Sequence, residues 1–323
     1  MYEVLAEVVR NGFVESRHYG SVAGLASDGS LAYARGVPDE TVLPRSTTKP
    51  FQALACLTAG APLAGERLAI AAGSHTGEDF HVKTVEAMLA DAGLGVDALR
   101  CPPSWPEDEP TKAALIRAGE GESRVRMNCS GKHAAMLAAC AANGWPVDTY
   151  LDPSHPLQQR VRQAMADASG EEPAPVAIDG CGAPLFGLTL TGLARAARSL
   201  VLSDGSRPVA DAMRAHPEYV GGTGHANTEF MRALPGTVAK GGAEGVFIAA
   251  TADGRAVAVK VIDGSPRATT AIALRALAAL GADTGPADPL GTVPVLGGGH
   301  RVGEIRTTEI GTTENRTTGE GRS

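Results

Sequence analysis

Ser46 and Lys49 stand three residues apart in the hexapeptide RSTTKP, residues 45–50. Where a helix begins at Ser46, side chains three apart share a face, and the Lys49 amine reaches the Ser46 hydroxyl. Pro50 supports a helix start here, because proline is tolerated in a first turn whose amide has no partner to lose. A serine hydroxyl is a weak nucleophile until a base takes its proton, and a lysine whose pKa is lowered can be that base. Taken alone, the hexapeptide has a plainer reading, in which Ser46 or Thr47 caps a helix and Lys49 is solvated.

Two further stretches give it company. GSHTGE at 73–78 offers Ser74 on a small-residue turn, and KGG at 240–242 sets Lys240 just before an apolar run. The order S-x-x-K, then a second serine, then K-x-G on a strand is that of penicillin-recognising serine enzymes, although the middle element here departs from S-D-N. A second constellation pairs NCSGKH at 128–133 with DGCGAP at 179–184. Cys129 and Lys132 lie three apart, Cys181 sits in a glycine turn, and two thiolates suit a soft metal such as zinc. His133 and Asp179 could complete or orient such a site. Lysine is a rare ligand, however, and buried cysteines acting as small apolar residues explain the same letters.

The chain uses arginine almost everywhere: only six of its 29 basic residues are lysines, namely Lys49, Lys83, Lys112, Lys132, Lys240 and Lys260. Arginine does not deprotonate in proteins, whereas a buried lysine can act as base or ligand. Three of the six fall in the serine- or glycine-rich motifs above, where that difference matters.

The elements that must position these residues follow from periodicity. Residues 2–35 read as strands, with a hairpin about SDGS at 27–30. Helical spacing covers 49–58, 80–93, 111–118, 134–144, 155–170, the end of 176–198, 223–234 and 268–281. The run RLAIAAG before Ser74 reads as a short apolar strand. CPPSWPEDEP at 101–110 is too proline-rich for a regular element. KGGAEGVFIAAT and GRAVAVKVIDG read as paired antiparallel strands with a helix behind them. Strands and helices interleave without regular alternation, so the expected class is α/β of the α+β kind, a largely antiparallel sheet with helices on both sides. Residues 1–306 form one expected domain, with proline-rich loops near 101–110 and 146–156 as boundaries between two lobes, and the polar repeats of 307–323 read as a disordered tail.

A chain of 323 residues can bury a large core, and a net charge of −7 without a lysine or arginine cluster disfavours nucleic acid as partner. No apolar run approaches the roughly 20 residues of a membrane span. The N-terminus lacks the pattern of an export signal, which argues for the cytoplasm. Five cysteines at irregular spacing argue for reduced thiols, with Cys56 and Cys140 in helix cores and Cys101 in a loop.

In this order, LPRSTTKPFQ, SHTGE, NCSGKHAAML, DGCGAP, HPEYVGGTG and KGGAEGV resemble the serine-lysine L-asparaginases of the rhizobial-type asparaginase II family. The resemblance spans roughly residues 5–305. It implies a fold similar to serine β-lactamases and glutaminases, a homodimer, and hydrolysis of L-asparagine to L-aspartate and ammonia. Carried over by motif, Ser46 with Lys49 and Ser74 with Lys240 are two Ser-Lys tandems, with Ser46 attacking and Lys260 as the competitor of Lys240. Cys129, Lys132 and Cys181 match ligands of one zinc ion, and Arg45, His133 and Asp179 match positions lining the substrate site. Two rivals remain: a serine amidohydrolase for glutamine or a β-lactam, and a non-catalytic, zinc-stabilised binding protein.

Overall fold

The structure, a computed structural model, describes residues 1–308. Its strands are β1 (Glu3–Arg10), β2 (Phe13–Leu25), β3 (Leu31–Arg35), β4 (Thr41–Val42), β5 (Val176–Ile178), β6 (Pro184–Phe186), β7 (Leu188–Thr189), β8 (Val238–Gly242), β9 (Val246–Ala250), β10 (Ala256–Val261), β11 (Val293–Gly297) and β12 (His300–Thr307). Its helices are α1 (Lys49–Thr58), α2 (Gly65–Ala71), α3 (Asp79–Asp91), α4 (Glu109–Arg117), α5 (Ser130–Asn143), α6 (Pro156–Ser169), α7 (Leu190–Leu202), α8 (Arg207–Ala215), α9 (Pro217–Val220), α10 (Ala226–Ala233), α11 (Thr269–Ala279) and α12 (Asp288–Gly291).

One antiparallel sheet runs β11-β12-β1-β2-β10-β9-β8, with β3 also paired to β2. The fold is therefore mixed α/β with a largely antiparallel sheet. The inner strands carry no polar alternation: VFIAA of β9 is buried throughout, because α7 and α11 each pack on β9 and β10 and cover the two faces. Beyond α7 lie α6, α1 and α8, then α5 with α2 and α3. Helix α5 is apolar on every side from Ala134 to Cys140, which suits a helix enclosed by others, and every residue from Ser130 to Cys140 is buried. A single apolar cluster joins sheet and helices, with Leu25, Phe51, Ile70, Leu137, Leu193 and Val259 among its members.

Three sequence expectations need correction. RLAIAAG is not a strand: α2 ends at Ala71, and the turn carrying Ser74 follows a helix. A short apolar run without flanking signals has no period by which to tell a buried helix from a buried strand. The pair of strands at 240–261 is three, because Val238–Gly242 already pairs with β9. The tail begins later than 307, since Thr307 pairs with Ala6 and the Thr308 amide donates to the Leu5 carbonyl at 3.0 Å; the remaining expected tail, 309–323, lies outside the described residues.

Candidate active site

Four chain segments meet at the open edge of β8. The first is the 3₁₀ turn Arg45–Thr48, which packs on β8 and leads into α1. Arg45 holds a left-handed backbone, φ 53°, costly for a residue with a side chain. Its guanidinium is anchored to Asp179, Nε to Oδ1 at 2.7 Å. Lys49, at the first position of α1, is 1% exposed.

The second segment is the turn after α2. Ser74 donates its amide to the Val220 carbonyl at 2.8 Å, and His75 donates its amide to the Asn128 carbonyl at 3.1 Å. Gly73 is what lets this turn lie so close to α9: a Cβ there would sit 2.5 Å from the Tyr219 carbonyl oxygen. The third segment, the start of α5, docks on the end of α2 by the same means, since a Cβ on Gly131 would lie 2.7 Å from the Ile70 oxygen. The fourth is β8, which brings in Lys240 at 0% exposure.

Both lysines converge on one hydroxyl. Lys49 Nζ and Lys240 Nζ each lie 2.8 Å from Ser74 Oγ. Lys240 also donates to its neighbour's carbonyl, Gly241 O, at 2.6 Å. Burial first, and then the Lys49 ammonium, push the Lys240 pKa well below the ordinary lysine value. A neutral Lys240 is an acceptor for the Ser74 proton while an ammonium on Lys49 faces the same oxygen. The expected separate tandem of Ser46 with Lys49 is not what the geometry gives: among the described residues the Lys49 amine bonds Ser74 and, at 3.4 Å, the Asn128 carbonyl. Ser46 stands on the wall of the same pocket. Lys260, the competitor for Lys240, is half-buried and donates to the Glu244 carbonyl instead.

Ser46 and Ser74 open onto a pocket of about 350 Å³ whose walls include Glu107, Asn128, His225 and Asn227. His225 is pushed down to about 4 by burial and by Lys240, so it is neutral near pH 7. Asn227 accepts from the Gly241 amide at 2.8 Å through Oδ1, and its Nδ2 has no partner. Glu107 and Asn227 escape sequence reasoning, because one stands in a proline-rich loop and the other in the first turn of α10 without a recognisable pattern, while Asn128 opens the NCSGKH motif, whose spacing points to no role for it.

Behind this pocket lies a second, enclosed group. The hairpin β5-β6 carries DGCGAP at its tip, closed by the Asp179 amide donating to the Ala183 carbonyl at 2.9 Å. Cys181 at that tip is 1% exposed and accepts from Lys132 Nζ at 2.9 Å. The neighbouring Cys129 sulfur and the Lys132 ammonium hold Cys181 well below the usual thiol range, as a thiolate; Cys129, buried beside it and donating to Asn128 Oδ1 at 3.0 Å, is pushed well above. Burial works against the Lys132 charge, yet the sulfurs of Cys181 and Cys129 keep its pKa above the ordinary lysine value. His133 bonds the Tyr150 hydroxyl through Nδ1 at 2.6 Å, and its ring also faces the Cys181 sulfur, whose charge opposes the effect of burial on the imidazole. His133 is fully buried and does not line the pocket onto which Ser46 and Ser74 open, and it sits with the Cys181 group instead; Arg45 and Asp179 brace the Cys181 turn from one side.

Among the described residues no three His, Cys, Asp or Glu side chains cluster to hold a metal. The donors that do meet are two sulfurs and one amine, with the His133 ring facing one of the sulfurs, and this set fits a soft cation such as zinc.

The family model described as L-asparaginase II matches residues 6–307. The chain belongs to the L-asparaginase II family. A search of curated proteins returned no match. Among solved structures, this asparaginase II family chain is similar to a β-lactamase from Mycobacterium bovis, at 17% identity and TM-score 0.45 over 81% of this chain and 94% of that one. It is also similar to a Bacillus glutaminase, at 13% identity and TM-score 0.43 over 76% and 84%, and to native Mglu, at 13% identity and TM-score 0.42 over 81% and 62%. Scores this low carry no argument about chemistry. No helix among the described residues is long and apolar enough to cross a membrane.

Proposed function

We propose that the chain is a serine amidohydrolase that converts L-asparagine to L-aspartate and ammonia. The observation that carries this reading is the Ser74 hydroxyl held at 2.8 Å by two lysines, one of them pushed toward neutrality. Lys240 takes the Ser74 proton, and the oxygen attacks the side-chain amide carbon of asparagine while the Lys49 ammonium offsets the charge on the oxygens. The proton passes to the departing nitrogen, ammonia leaves, and water activated by the same base hydrolyses the acyl ester. Family membership supports the substrate class.

A second assignment of the attacking serine has its own support. Ser46 lines the pocket next to β8, its amide 3.2 Å from where a Cβ on Gly242 would stand, and Lys49 follows one turn later. In that version Ser46 attacks and Ser74 relays the proton between the lysines.

The buried group of sulfurs and amine supports a further proposal, that one zinc ion is held by Cys129, Lys132 and Cys181. When bound it would supply positive charge beside the substrate; Cys181 is already a thiolate, whereas Cys129 and Lys132 would each release a proton. Thiols that are all buried and unpaired support a reducing compartment such as the cytoplasm. Val176 and Ile178, 49% and 81% exposed on one small hairpin, support a homodimer contact.

The test is ammonia release from asparagine, glutamine and small amides by wild type, Ser46→Ala and Ser74→Ala, with the trapped acyl adduct mapped by mass spectrometry. Adduct on Ser74 and a dead Ser74→Ala are expected; an adduct on Ser46 assigns Ser74 to the relay. Unchanged activity in both variants ends the serine mechanism, whereas no amide cleaved by wild type ends the amidohydrolase reading and leaves the zinc-stabilised binding protein.

A further inference from the structure

The pocket wall contains one carboxylate, Glu107, from the proline-rich loop before α4. That loop is pinned on both sides of Glu107. Pro106 is buried against Gly77, where a Cβ would come within 2.9 Å of it. Asp108 donates its amide to the Thr76 carbonyl at 3.1 Å and caps α4 by accepting from the Thr111 amide at 2.8 Å. Ser104 and Ser123 close the loop's base through a reciprocal pair of 3.2 Å bonds. The loop is thereby tied to the turn that carries Ser74, and the Glu107 carboxylate holds a fixed place relative to the reactive hydroxyl.

The carboxylate is oriented as well as placed. Oε1 accepts from Asn128 Nδ2 at 2.7 Å, on the segment whose backbone carbonyl accepts from His75 and Lys49. The side chain is otherwise exposed at the pocket mouth and has no ion-pair partner among the described residues. It lies close enough to Lys240 for its charge to oppose the fall in that lysine's pKa. Ser74 and Glu107 line one pocket, so a small amide bound at Ser74 shares its cavity with a carboxylate, which attracts a cation and repels an anion.

We propose that Glu107 binds the α-ammonium group of the substrate and so selects α-amino acid amides over amides without that group. This rests on the amidohydrolase reading above and assigns a residue to the α-amino end of its substrate, to which that reading gave none. A charged hydrogen bond of this kind contributes about ten- to hundredfold in affinity.

Glu107→Gln is the test, because glutamine keeps the Oε1 acceptor for Asn128 and removes only the charge. Wild type and variant are compared on asparagine and on succinamate, which is asparagine without its α-amino group; glutamine and glutaramate replace them where glutamine is the better substrate. The expected result is a rise in KM for the amino acid of about tenfold or more at nearly unchanged kcat, with kcat/KM for the des-amino amide within about twofold of wild type. An unchanged ratio between the two substrates overturns the inference while leaving the amidohydrolase reading intact, and an equal fall on both shows a merely structural role. A wild type that cleaves no amide removes both.

Discussion

Replacing Lys240 by arginine and by methionine separates its charge from its basicity. The two amines that share Ser74 Oγ stand 2.8 Å from it, so their nitrogens are at most about 5.6 Å apart. Two unit charges at that distance repel by roughly 3 kcal/mol at an effective dielectric constant near 20. Wild type avoids this cost by keeping Lys240 neutral. Lys240→Arg cannot, because a guanidinium stays charged, so the variant is expected to lose about that much stability, a drop of roughly 5 to 10 °C in Tm. Lys240→Met fills similar volume without charge and is expected to melt near wild type. Both lack the base for Ser74, and both are expected to lose about 10² to 10⁴ in kcat/KM for asparagine. The pH dependence has a definite sign. Between the lowered folded pKa of Lys240 and its ordinary value of 10.5, the unfolded chain carries a proton that the folded chain lacks. Raising the pH through that window therefore stabilises wild type relative to Lys240→Met, and kcat/KM rises as Lys240 deprotonates. Calorimetry from neutral to alkaline pH and a steady-state ammonia assay read both quantities. A methionine variant within tenfold of wild-type activity, or an arginine variant as stable as the methionine one, would refute the charge-limited lysine pair.

Gly73→Ala places a methyl 2.5 Å from a backbone oxygen and is expected to cost about 1–3 kcal/mol, with a fall in kcat because Ser74 shifts; a thermal melt and a rate assay check it. Asp179→Asn removes the charge facing the half-buried Arg45, and denaturant unfolding is expected to show a loss of about 1–3 kcal/mol. After equilibrium dialysis against zinc, metal analysis is expected to find about one ion per wild-type chain and none in Cys181→Ser; equal content in the two would sink the proposed ligand set. Cys181, enclosed at 1% exposure, is expected to resist iodoacetamide in the folded protein despite being a thiolate, and to react on unfolding.

Much of this architecture is legible in the letters. Pro50 after STTK and the glycines ending the runs at Gly144 and Gly170 place α1, α6 and the end of α5 to within a residue or two, because capping and periodicity are local; α5 itself starts at Ser130, four residues before its apolar run. The scarcity of lysine likewise points to Lys49, Lys132 and Lys240, all three of which are at most 2% exposed. Where local signals conflict or are missing the reading fails, as it does for RLAIAAG, whose apolar run fits helix and strand alike.

What the sequence by itself determines, then, is which residues can do chemistry and which helix or turn each begins. Which of them meet is decided by the tertiary fold. Lys49 lies three residues from Ser46 yet bonds Ser74, 25 residues on, and Lys240 reaches the same oxygen from 166 residues away. A spacing of three gives a lysine reach, but its rotamer follows the acceptor that the packed neighbours present, and here α2, α9 and β8 present Ser74. The same holds for Glu107, an unremarkable letter in a proline-rich loop until Pro106 and Asp108 fasten that loop to the turn that carries Ser74.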